Sequence, residues 1–435
     1  MKLCNANDVK FIRLQFCDIH GLVKNMSVPI GQLEKALDNK VMLDGSSIRG
    51  FRTIETSDMY FYPDVSTFRV LPWRPREGAV ARIICDIYNP DGTPFDGCPR
   101  NILKRVLAQA ESEGYKFNVG PECEFFLFDT DEEGFPTNKL IDQGGYYDVE
   151  PTDLGSDVRR TIINTIEELG FDVEASHHEV APSQHEIDFK YADALTTADN
   201  VITFKWATKS VAHDYGLYAT FMPKPISGVN GSGMHCNMSL SDLDGNNVFF
   251  DESKADGISD TMRHFIAGVL KHVRAFCAVS NPLVNSYKRL VPGYEAPVYL
   301  AWSQMNRSAL IRIPATRGPG TRVELRCPDP SANPYLAFAV MLEAGLDGIR
   351  NKMEPPAEVD ENIYELEMHT MEERDIHALP GNLDEALQHM EGSKLVEEAL
   401  GSHCYKHYIE TKYKEYQDYR THVSTWELDH YLHAY

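Results

Sequence analysis

The sequence lacks long apolar runs and paired cysteines. No stretch approaches the roughly 20 consecutive apolar residues that a membrane-spanning helix needs. The first ten residues, MKLCNANDVK, contain no apolar segment typical of a signal peptide. The nine cysteines are scattered, and none belongs to a C-x-x-C pair. Reduced thiols fit this pattern best, so we expect a cytoplasmic protein with no membrane partner.

The sequence also lacks the common nucleotide motifs and an excess of positive charge. Neither G-x-x-x-x-G-K-[ST] nor G-x-G-x-x-G occurs, so any nucleotide is bound in another way. Lys and Arg number 42 against 65 Asp and Glu, which gives a net charge of −23. This balance argues against a nucleic-acid-binding surface. A hydrophobic content of 43% over 435 residues is ordinary for an enzyme of two or three domains.

Helical and strand patterns alternate along the chain without a regular βαβ repeat, which predicts an α+β fold. The turn signals NPDG and PFDGCPR place a domain boundary near Cys98. We therefore expect domains over 1–98 and 99–435, with a helical segment at 382–435. Helices are predicted near 101–114, 156–170, 196–215, 259–279 and 334–352. Ser156 or Asp157 is expected to cap the second of these, and Gly114 and Gly170 to end the first two.

Acidic and histidine side chains recur on one face of several predicted strands. Side chains alternate between faces along a strand, so Glu122 and Glu124 in ECEFFLF point the same way. His235 in MHCNMSL and Glu324 in RVELR stand in the same relation to their apolar neighbours. The simplest interpretation is one sheet with an apolar face and a second face crowded with charged side chains.

Each of these features alone has an ordinary explanation. E-x-E on a strand is usually a solvated face, a single His is usually structural, and R-x-E-x-R is usually a row of surface ion pairs. Taken together with Glu179 and Glu186, however, they form a set of five carboxylates and one imidazole. Such an oxygen-rich set suits Mg²⁺ or Mn²⁺ rather than structural zinc.

Four arginines lie close to these candidate ligands in the sequence. Each could simply pair with a carboxylate, but their clustering favours the binding of an anion. Divalent ions and guanidinium groups around phosphate are typical of phosphoryl transfer. The residues alone therefore predict a two-metal phosphoryl-transfer enzyme with a small anionic substrate. The four are Arg307, Arg312, Arg322 and Arg326.

Three loops have both a functional and an ordinary interpretation. PKPISGVNGSGMH could let backbone N–H groups approach a substrate, or could be a plain turn. NSYKRLVPGYEAPV could be a lid that carries Glu295 over the site, or a surface loop. LDGSSIRGF carries Asp44 and Ser47, and Asx-turn chemistry alone would explain it.

Seven motifs, in order along essentially the whole chain, resemble the type I glutamine synthetase family of bacteria and archaea. The resemblance implies a small N-terminal β-grasp domain and a larger catalytic α/β domain, whose curved antiparallel sheet carries the metal site. The short segment between Glu124 and Tyr146 is similar to that of the compact subclass without an extra insertion. The motifs are DGSSIRGF, GPECEFFLF, HHEVAPSQHEID, FMPKPISGVNGSGMH, KRLVPGYEAPV, NRSALIRIP and RVELRCPDPSANPY.

The resemblance implies ATP-dependent ligation of ammonia to the γ-carboxylate of L-glutamate through γ-glutamyl phosphate. It implies two or more Mg²⁺ or Mn²⁺ ions at each site. One ion would be bound by Glu124, Glu179 and Glu186, and a second by Glu122, His235 and Glu324. The catalytic group would be Asp44, Glu295 and Arg307. Substrate contacts would come from Ser47, Tyr146, Asn230, Gly231, Arg289 and Arg326, and nucleotide contacts from Glu174, Ser239, Arg307, Arg312 and Arg322.

The resemblance also implies hexameric rings, usually stacked into dodecamers, with Asp44 and Ser47 acting in the site of a neighbouring subunit. The family's usual N-terminal helix is expected to be shortened or absent, and the apolar segment 426–435 to pack on a neighbour. Asn237 stands where many longer members have a second His. Two rival functions remain: a γ-glutamyl-amine ligase for a polyamine or monoamine, and a catalytically dead relative that binds partners.

Overall fold

The computed structural model describes residues 1–366 and 368–435, and its N-terminal part forms a five-stranded mixed sheet. The strand order is β2-β1-β5-β4-β3, in which β1 and β5 run parallel and the other neighbours run antiparallel. Two short helices, α1 (Lys2–Ala6) and α2 (Leu33–Leu37), accompany it. The strands are β1 (Val9–Cys17), β2 (Val23–Pro29), β3 (Met42–Asp44), β4 (Asp58–Val70) and β5 (Ala79–Tyr88).

A second sheet of ten strands is built around the long strand β6 (Lys116–Thr130). Its main order is β13-β14-β15-β12-β6-β9-β8, and β7, β10 and β11 also pair with β6. The other strands are β7 (Pro136–Leu140), β8 (Val173–His178), β9 (Gln184–Phe189), β10 (Ala192–Asp193), β11 (Leu217–Thr220), β12 (Met234–Ser241), β13 (Trp302–Gln304), β14 (Ile311–Ile313) and β15 (Val323–Leu325).

One pair of strands departs from the expected antiparallel sheet. β13 and β14 run parallel, whereas the other pairs of this sheet are antiparallel. After β13 the chain turns at Met305, whose φ is +70°, and it returns to begin β14 in the same direction. The predicted α+β fold with a sheet that carries the charged face is otherwise confirmed.

The five predicted helices are all present, within a few residues of their expected ends. Among the described helices, none is long and apolar enough to cross a membrane. The predicted C-terminal helical segment contains the last four helices. The helices are α3 (Pro99–Ser112), α4 (Ser156–Glu168), α5 (Ala194–Asp214), α6 (Asp260–Ser280), α7 (Ser286–Arg289), α8 (Pro334–Arg350), α9 (Met368–Glu373), α10 (Leu383–Met390), α11 (Lys394–Leu400), α12 (Ser402–Arg420) and α13 (Thr425–Tyr431).

Helix ends follow the predicted glycine stops, but one predicted N-cap is wrong. Gly114 and Gly170 follow α3 and α4 with φ of +93°, a conformation that other residues rarely adopt. The N-cap of α4 is Gly155, and neither Ser156 nor Asp157 caps the helix. A side chain at Gly155 would place its Cβ 2.3 Å from the ring of His185, so only glycine fits where the helix begins.

The central strand confirms the predicted division into two faces. Cys123, Phe125 and Leu127 on β6 are fully buried. They belong to one apolar cluster that extends from the N-terminal sheet through α5, α6 and α8. Glu122 and Glu124 therefore lie on the opposite face of the strand, away from this core.

Arg100, on α3, joins the two parts of the molecule through three carboxylates. Its Nε and Nη2 donate to Asp199 on α5 at 3.0 and 2.9 Å. Its Nη1 donates to Asp86 on β5 at 2.9 Å, and Nη2 also donates to Asp64 on β4 at 2.8 Å. Arg100 is only 3% exposed, so its charge and those of the carboxylates stabilise one another in place of water.

Arg100→Met should lower the free energy of unfolding by about 3–5 kcal/mol, because it leaves buried carboxylates without their cation. Urea unfolding followed by circular dichroism, at matched protein concentration, measures this loss. Arg105→Met is the matched control on the same helix. Arg105 donates only to the backbone oxygens of Glu398 and Ala399, so its loss should cost about 1 kcal/mol. Equal losses in the two variants would contradict the role assigned to Arg100.

Candidate active site

The charged face of the ten-stranded sheet is organised by strand register. Residues directly opposite each other on adjacent strands form three rows, and successive rows lie two residues apart along β6 or β12. Side chains with this spacing point to the same side of the sheet. The rows are Arg312–Glu324–Asn237, His235–Glu122–Asp188 and Glu124–Glu186–His177.

All members of these rows except Asn237 line a cavity of about 280 Å³. All six predicted metal ligands line it, although they come from separate strands and from the loop after β8. Residues predicted for substrate binding, nucleotide binding or catalysis also line this cavity, from loops and from α7 and β14. These are Tyr146, Asn230, Gly231, Arg289, Glu295, Arg307, Arg312 and Arg326.

The first candidate metal group is Glu122, His235 and Glu324, whose ligand atoms lie within 4.8 Å of one another. Nδ1 of His235 lies 3.1 Å from Oε2 of Glu122. Burial acts to raise the pKa of Glu122, but the hydrogen bonds with His235 and Asn237 and the nearby positive charge together outweigh burial and lower the pKa to about 2. Glu324 is 1% exposed and accepts hydrogen bonds from Arg312, at 2.5 Å, and from Arg326. The donor set and spacing fit a divalent cation.

The second predicted group, Glu124, Glu179 and Glu186, is crowded with like charge. Burial, together with the negative charge of Glu179, raises the pKa of Glu124 to about 8. Burial and the charge of Glu124 raise the pKa of Glu186 well above its usual range. Such shifts mark carboxylates that are short of a positive partner, and they suit the binding of a cation.

The structure adds two candidate ligands that sequence reasoning missed. Ligand atoms of His177, Glu186 and Asp188 lie within 4.8 Å of one another. Burial and the charge of Glu122 raise the pKa of Asp188 to about 6. Asp188 lies two residues after Glu186 on β9, so alternation along the strand places both on one face, but Asp188 was not named as a ligand. His177 enters the group through the pairing of β8 with β9, which the sequence does not reveal.

Gln184 is a third residue that sequence reasoning missed. It is 1% exposed, and its Nε2 donates to Oε2 of Glu124 at 2.8 Å and to the oxygen of Gly231 at 3.1 Å. The N–H of Gly233 donates to the same Glu124 oxygen at 3.0 Å. Gln184 therefore holds a candidate ligand against the glycine-rich loop. An uncharged side chain in the segment PSQ gave no signal for this role.

A second cavity of about 350 Å³ adjoins the first, and Glu122 and Asp188 line both. The predicted nucleotide residues Glu174, Ser239 and Arg322 line the second cavity. Arg307 and Arg312, predicted for the same role, line the first cavity instead. Arginines predicted to contact the nucleotide therefore line both of the adjoining cavities.

Asn237 lines the second cavity and lies beside Glu122, which lines both cavities. Its Nδ2 donates to Oε1 of Glu122 at 2.9 Å, and its Oδ1 accepts from Nε of Arg322 at 3.0 Å. An amide can make both contacts at once, because it has a donor and an acceptor. Asn237 thus fixes a candidate metal ligand relative to a candidate phosphate-binding arginine.

Glu295, which was predicted to be a lid carboxylate, lines the first cavity. Glu295 has a φ of +57°, a left-handed conformation that costs about 1–3 kcal/mol in residues other than glycine. The Oε2 atom of Glu295 accepts a hydrogen bond from Nδ2 of Asn230 at 3.0 Å.

Arg289, a predicted substrate contact, donates to the backbone oxygens of Arg326 and Cys327, at 3.1 and 2.7 Å. These two hydrogen bonds fix the position of its guanidinium group.

Asp44 and Ser47 are not brought to either of these two cavities. They lie at and just after the end of β3 in the N-terminal sheet. Asp44 accepts from the N–H and hydroxyl of Ser46 at 2.8 and 2.6 Å, which is the predicted Asx turn. These bonds lower the pKa of Asp44 and leave its carboxylate exposed at the surface.

Comparisons with family descriptions and with known proteins all identify the same family. The family descriptions "Glutamine synthetase, beta-Grasp domain" and "Glutamine synthetase, catalytic domain" match residues 8–90 and 96–431. The chain is 59% identical over 435 residues to a glutamine synthetase of Clostridium saccharobutylicum, covering 100% of this chain and 98% of that one. It is 59% identical over 432 residues to one of Methanosarcina mazei, covering 99% and 96%.

A solved structure titled "GmaS/ADP complex-Conformation 1" is similar to this fold with a TM-score of 0.91 and 33% identity. The match covers 100% of this chain and 99% of that one.

Glu186→Gln should raise the thermal stability of the protein in EDTA and weaken its stabilisation by Mg²⁺ or Mn²⁺. The substitution removes a carboxyl group that must stay protonated, at a cost in stability, among buried like charges, but it also removes a candidate ligand. Differential scanning fluorimetry with and without the metal measures both effects. Glu343→Gln is the control: Glu343 is also buried, but Arg350 donates to it at 2.5 Å. This control should lose stability and keep its response to metal, and a similar loss in Glu186→Gln would contradict the interpretation.

Proposed function

The chain belongs to the glutamine synthetase family and is a glutamate–ammonia ligase, and we propose that the two adjoining cavities form its catalytic site. Its substrates are glutamate, ammonia and ATP, and its family uses divalent metals. The observation that carries the assignment is the alignment of carboxylates, an imidazole and arginines in three rows, with Glu122 and Asp188 shared by both cavities.

We propose that ATP occupies the second cavity, with its γ-phosphate directed past Glu122 into the first. Arg322 would contact the phosphates from one side, and Arg307 and Arg312 from the other. Bound Mg²⁺ or Mn²⁺ would offset phosphate charge, one ion held by Glu122, His235 and Glu324 and another by Glu124, Glu179 and Glu186. The γ-carboxylate of glutamate attacks the γ-phosphorus, the bond to the bridging oxygen breaks, and ADP leaves.

The substrate amino acid would be held by residues that converge on the first cavity. Arg326 would bind a carboxylate of glutamate. In the same cavity, Asn230 offers a side-chain amide and Gly231 offers backbone polar groups. Arg289 already donates to the backbone of Arg326 and Cys327, so in this structure it is placed to orient Arg326.

Ammonium would be bound near Tyr146 and Glu179, with Asp44 and Ser47 supplied by a neighbouring subunit. Asp44 accepts a proton from ammonium, and the resulting ammonia attacks the acyl carbon of γ-glutamyl phosphate. Phosphate then leaves, and Glu295 accepts a further proton from the adduct. The segment around Glu295 would keep water from the acyl phosphate.

A γ-glutamyl-amine ligase is the alternative reaction on this fold. The named relatives at 59% identity are glutamine synthetases, whereas the GmaS structures are 32–33% identical. The carboxylates that face the first cavity favour a small cation over a bulky amine, because they leave little apolar wall for a carbon chain. These observations support ammonium as the amine substrate.

ADP release in the presence of glutamate, ATP and Mg²⁺ should be much faster with ammonium than with ethylamine or putrescine. A coupled assay over a concentration series of each amine measures kcat/KM, and a reaction without amine is the control. A kcat/KM for either organic amine equal to that for ammonium would overturn the substrate assignment.

We also propose the assembly and organisation expected from the sequence. Domains over 1–98 and 99–435 would carry Asp44 and the metal ligands respectively, and subunits would form hexameric rings that stack into dodecamers. All nine cysteines are free and buried, in keeping with a cytoplasmic location. The C-terminal segment leaves several apolar side chains exposed on the single chain, which supports burial on a neighbour. They are Trp426, Leu428, Tyr431, Leu432 and Tyr435.

Mixing two inactive variants should restore part of the activity. Asp44→Ala subunits lack the exposed carboxylate, and Glu324→Ala subunits lack a candidate ligand in the cavity. If the site is shared, a mixed ring contains some interfaces in which both halves are intact. Activity is measured after subunit exchange has been verified by mass spectrometry. Each variant incubated alone is the control, and no recovery in the mixture would mean that each site is built within one chain.

A further inference from the structure

A third cavity, of about 710 Å³, lies outside the proposed catalytic site. It shares no lining residue with the two catalytic cavities. Its walls come from the turn between β1 and β2, from α5 and α12, and from loops at 282–283 and 330–331. The turn belongs to the N-terminal sheet, so the cavity lies where the two parts of the chain meet.

This cavity is positively charged in a protein that is strongly negative overall. Among the lining residues that the structure describes, five are Lys or Arg and one, Glu415, is acidic. The chain as a whole carries a net charge of −23. The cations that line the third cavity should repel one another, as the carboxylates of the catalytic face do. The basic residues are Lys24, Arg49, Lys205, Lys209 and Lys412.

The neighbouring groups offset only part of this charge. Lys412 donates to Glu415 at 2.8 Å, and Lys24 lies 3.7 Å from Asp18. Lys205 donates to a neutral acceptor, the backbone oxygen of Ala332, at 3.1 Å. A net positive charge therefore remains around the cavity.

His20 gives an independent sign that a ligand is needed. Both of its ring nitrogens are buried, and neither has a hydrogen-bond partner among the described residues. Burial and then the charges of Lys412, Arg49 and Lys24 lower the pKa of His20 to about 3, so the ring is neutral. A neutral imidazole still carries one N–H, and a buried donor without an acceptor costs about 1–3 kcal/mol.

The remaining wall is apolar and partly aromatic. Trp206, Phe221, Ile202 and Leu283 line it. The volume lies within the roughly 300–1,000 Å³ range of small-molecule sites. A ligand here would therefore combine an anionic group with a carbon skeleton.

We propose that this cavity binds a small dianion with an apolar body, either a phosphate monoester or a dicarboxylate, at a site separate from the catalytic centre. The oxyanion accepts charge-assisted hydrogen bonds from the lysine and arginine side chains and one from the N–H of His20. The apolar body packs against Trp206 and Phe221.

The position of the cavity gives such a ligand contact with segments that lead to the catalytic site. Met222 precedes the loop that carries Asn230, and Leu283 precedes Arg289 on α7. Pro330 follows Arg326 by four residues. The ligand would touch the bases of segments whose far ends line the first cavity.

Isothermal titration calorimetry of the assembled enzyme, with ADP and Mg²⁺ at saturation to fill the second cavity, tests the proposal. The probes are phenyl phosphate and succinate, each titrated to about 10 mM. The ionic strength is held constant near the physiological value, so that the screening of charges is the same in every titration. Lys209→Met and Arg49→Met should each weaken binding about tenfold, the effect of losing one charge-assisted hydrogen bond. Binding of phenyl phosphate alone identifies a phosphate site, and binding of succinate alone identifies a dicarboxylate site.

Lys35→Met is the control, since Lys35 lies on α2 and does not line the cavity, and it should bind the probes as the original chain does. Melting temperatures of all variants verify folding, and Lys209→Met suffices if Arg49→Met fails to fold. Binding that is equal in the original chain and both cavity variants would overturn the proposal, as would no binding of either probe. A cryo-electron microscopy map with an acidic segment of a second copy seated in the cavity would overturn it too.

Discussion

The bidentate ion pair between Arg100 and Asp199 is the interaction on which the rest of the arrangement depends. Through Asp64 and Asp86, the same guanidinium also holds the N-terminal sheet. Tyr335 on α8 donates to Asp199 at 2.7 Å, so the core helix of the C-terminal part joins the same network. The N-terminal sheet is thereby fixed at one side of the catalytic sheet, and Asp44 is fixed away from its own cavities. This placement of Asp44 supports the proposal that it acts in the site of a neighbouring subunit.

Charge of one sign is concentrated in two regions of this protein. Each region lowers the stability of the folded protein when no ligand is bound. On the catalytic face, burial and mutual repulsion keep the pKa values of Glu124 and Glu186 high. In the third cavity, cations surround a neutral, unpartnered His20. Functional sites often carry such a stability cost, because the groups that bind a ligand are poorly solvated without it. The catalytic face favours cations and the third cavity favours anions.

Local sequence patterns were sufficient to predict the features that depend on alternation and on helix ends. The two faces of β6 follow from ECEFFLF, and the stops at Gly114 and Gly170 follow from glycine's tolerance of positive φ. The family was identified from the resemblance of seven motifs, and the six predicted metal ligands all line the first cavity, although their ligand roles stay predictions.

Features that depend on tertiary contacts could not be predicted. Gln184 acquires its importance only because the fold places it beside Glu124, and His177 only because β8 pairs with β9. Gly155 caps α4 because the ring of His185 lies against it, a contact between residues 30 positions apart. The parallel pairing of β13 and β14 depends on the turn at Met305. The third cavity is likewise formed by segments from distant parts of the chain.

The row arrangement also limits how the length of this protein can change during evolution. Insertion of one residue within β6 would turn every side chain beyond it to the other face, so that a core phenylalanine and a glutamate would exchange places. A two-residue change would keep the faces but break the alignment of Glu122 with His235 and of Glu124 with Glu186. The exposed turn between β6 and β7, at 131–134, is free of both constraints. Natural insertions and deletions should therefore accumulate in that turn, while the strand keeps a fixed length as its residues diverge.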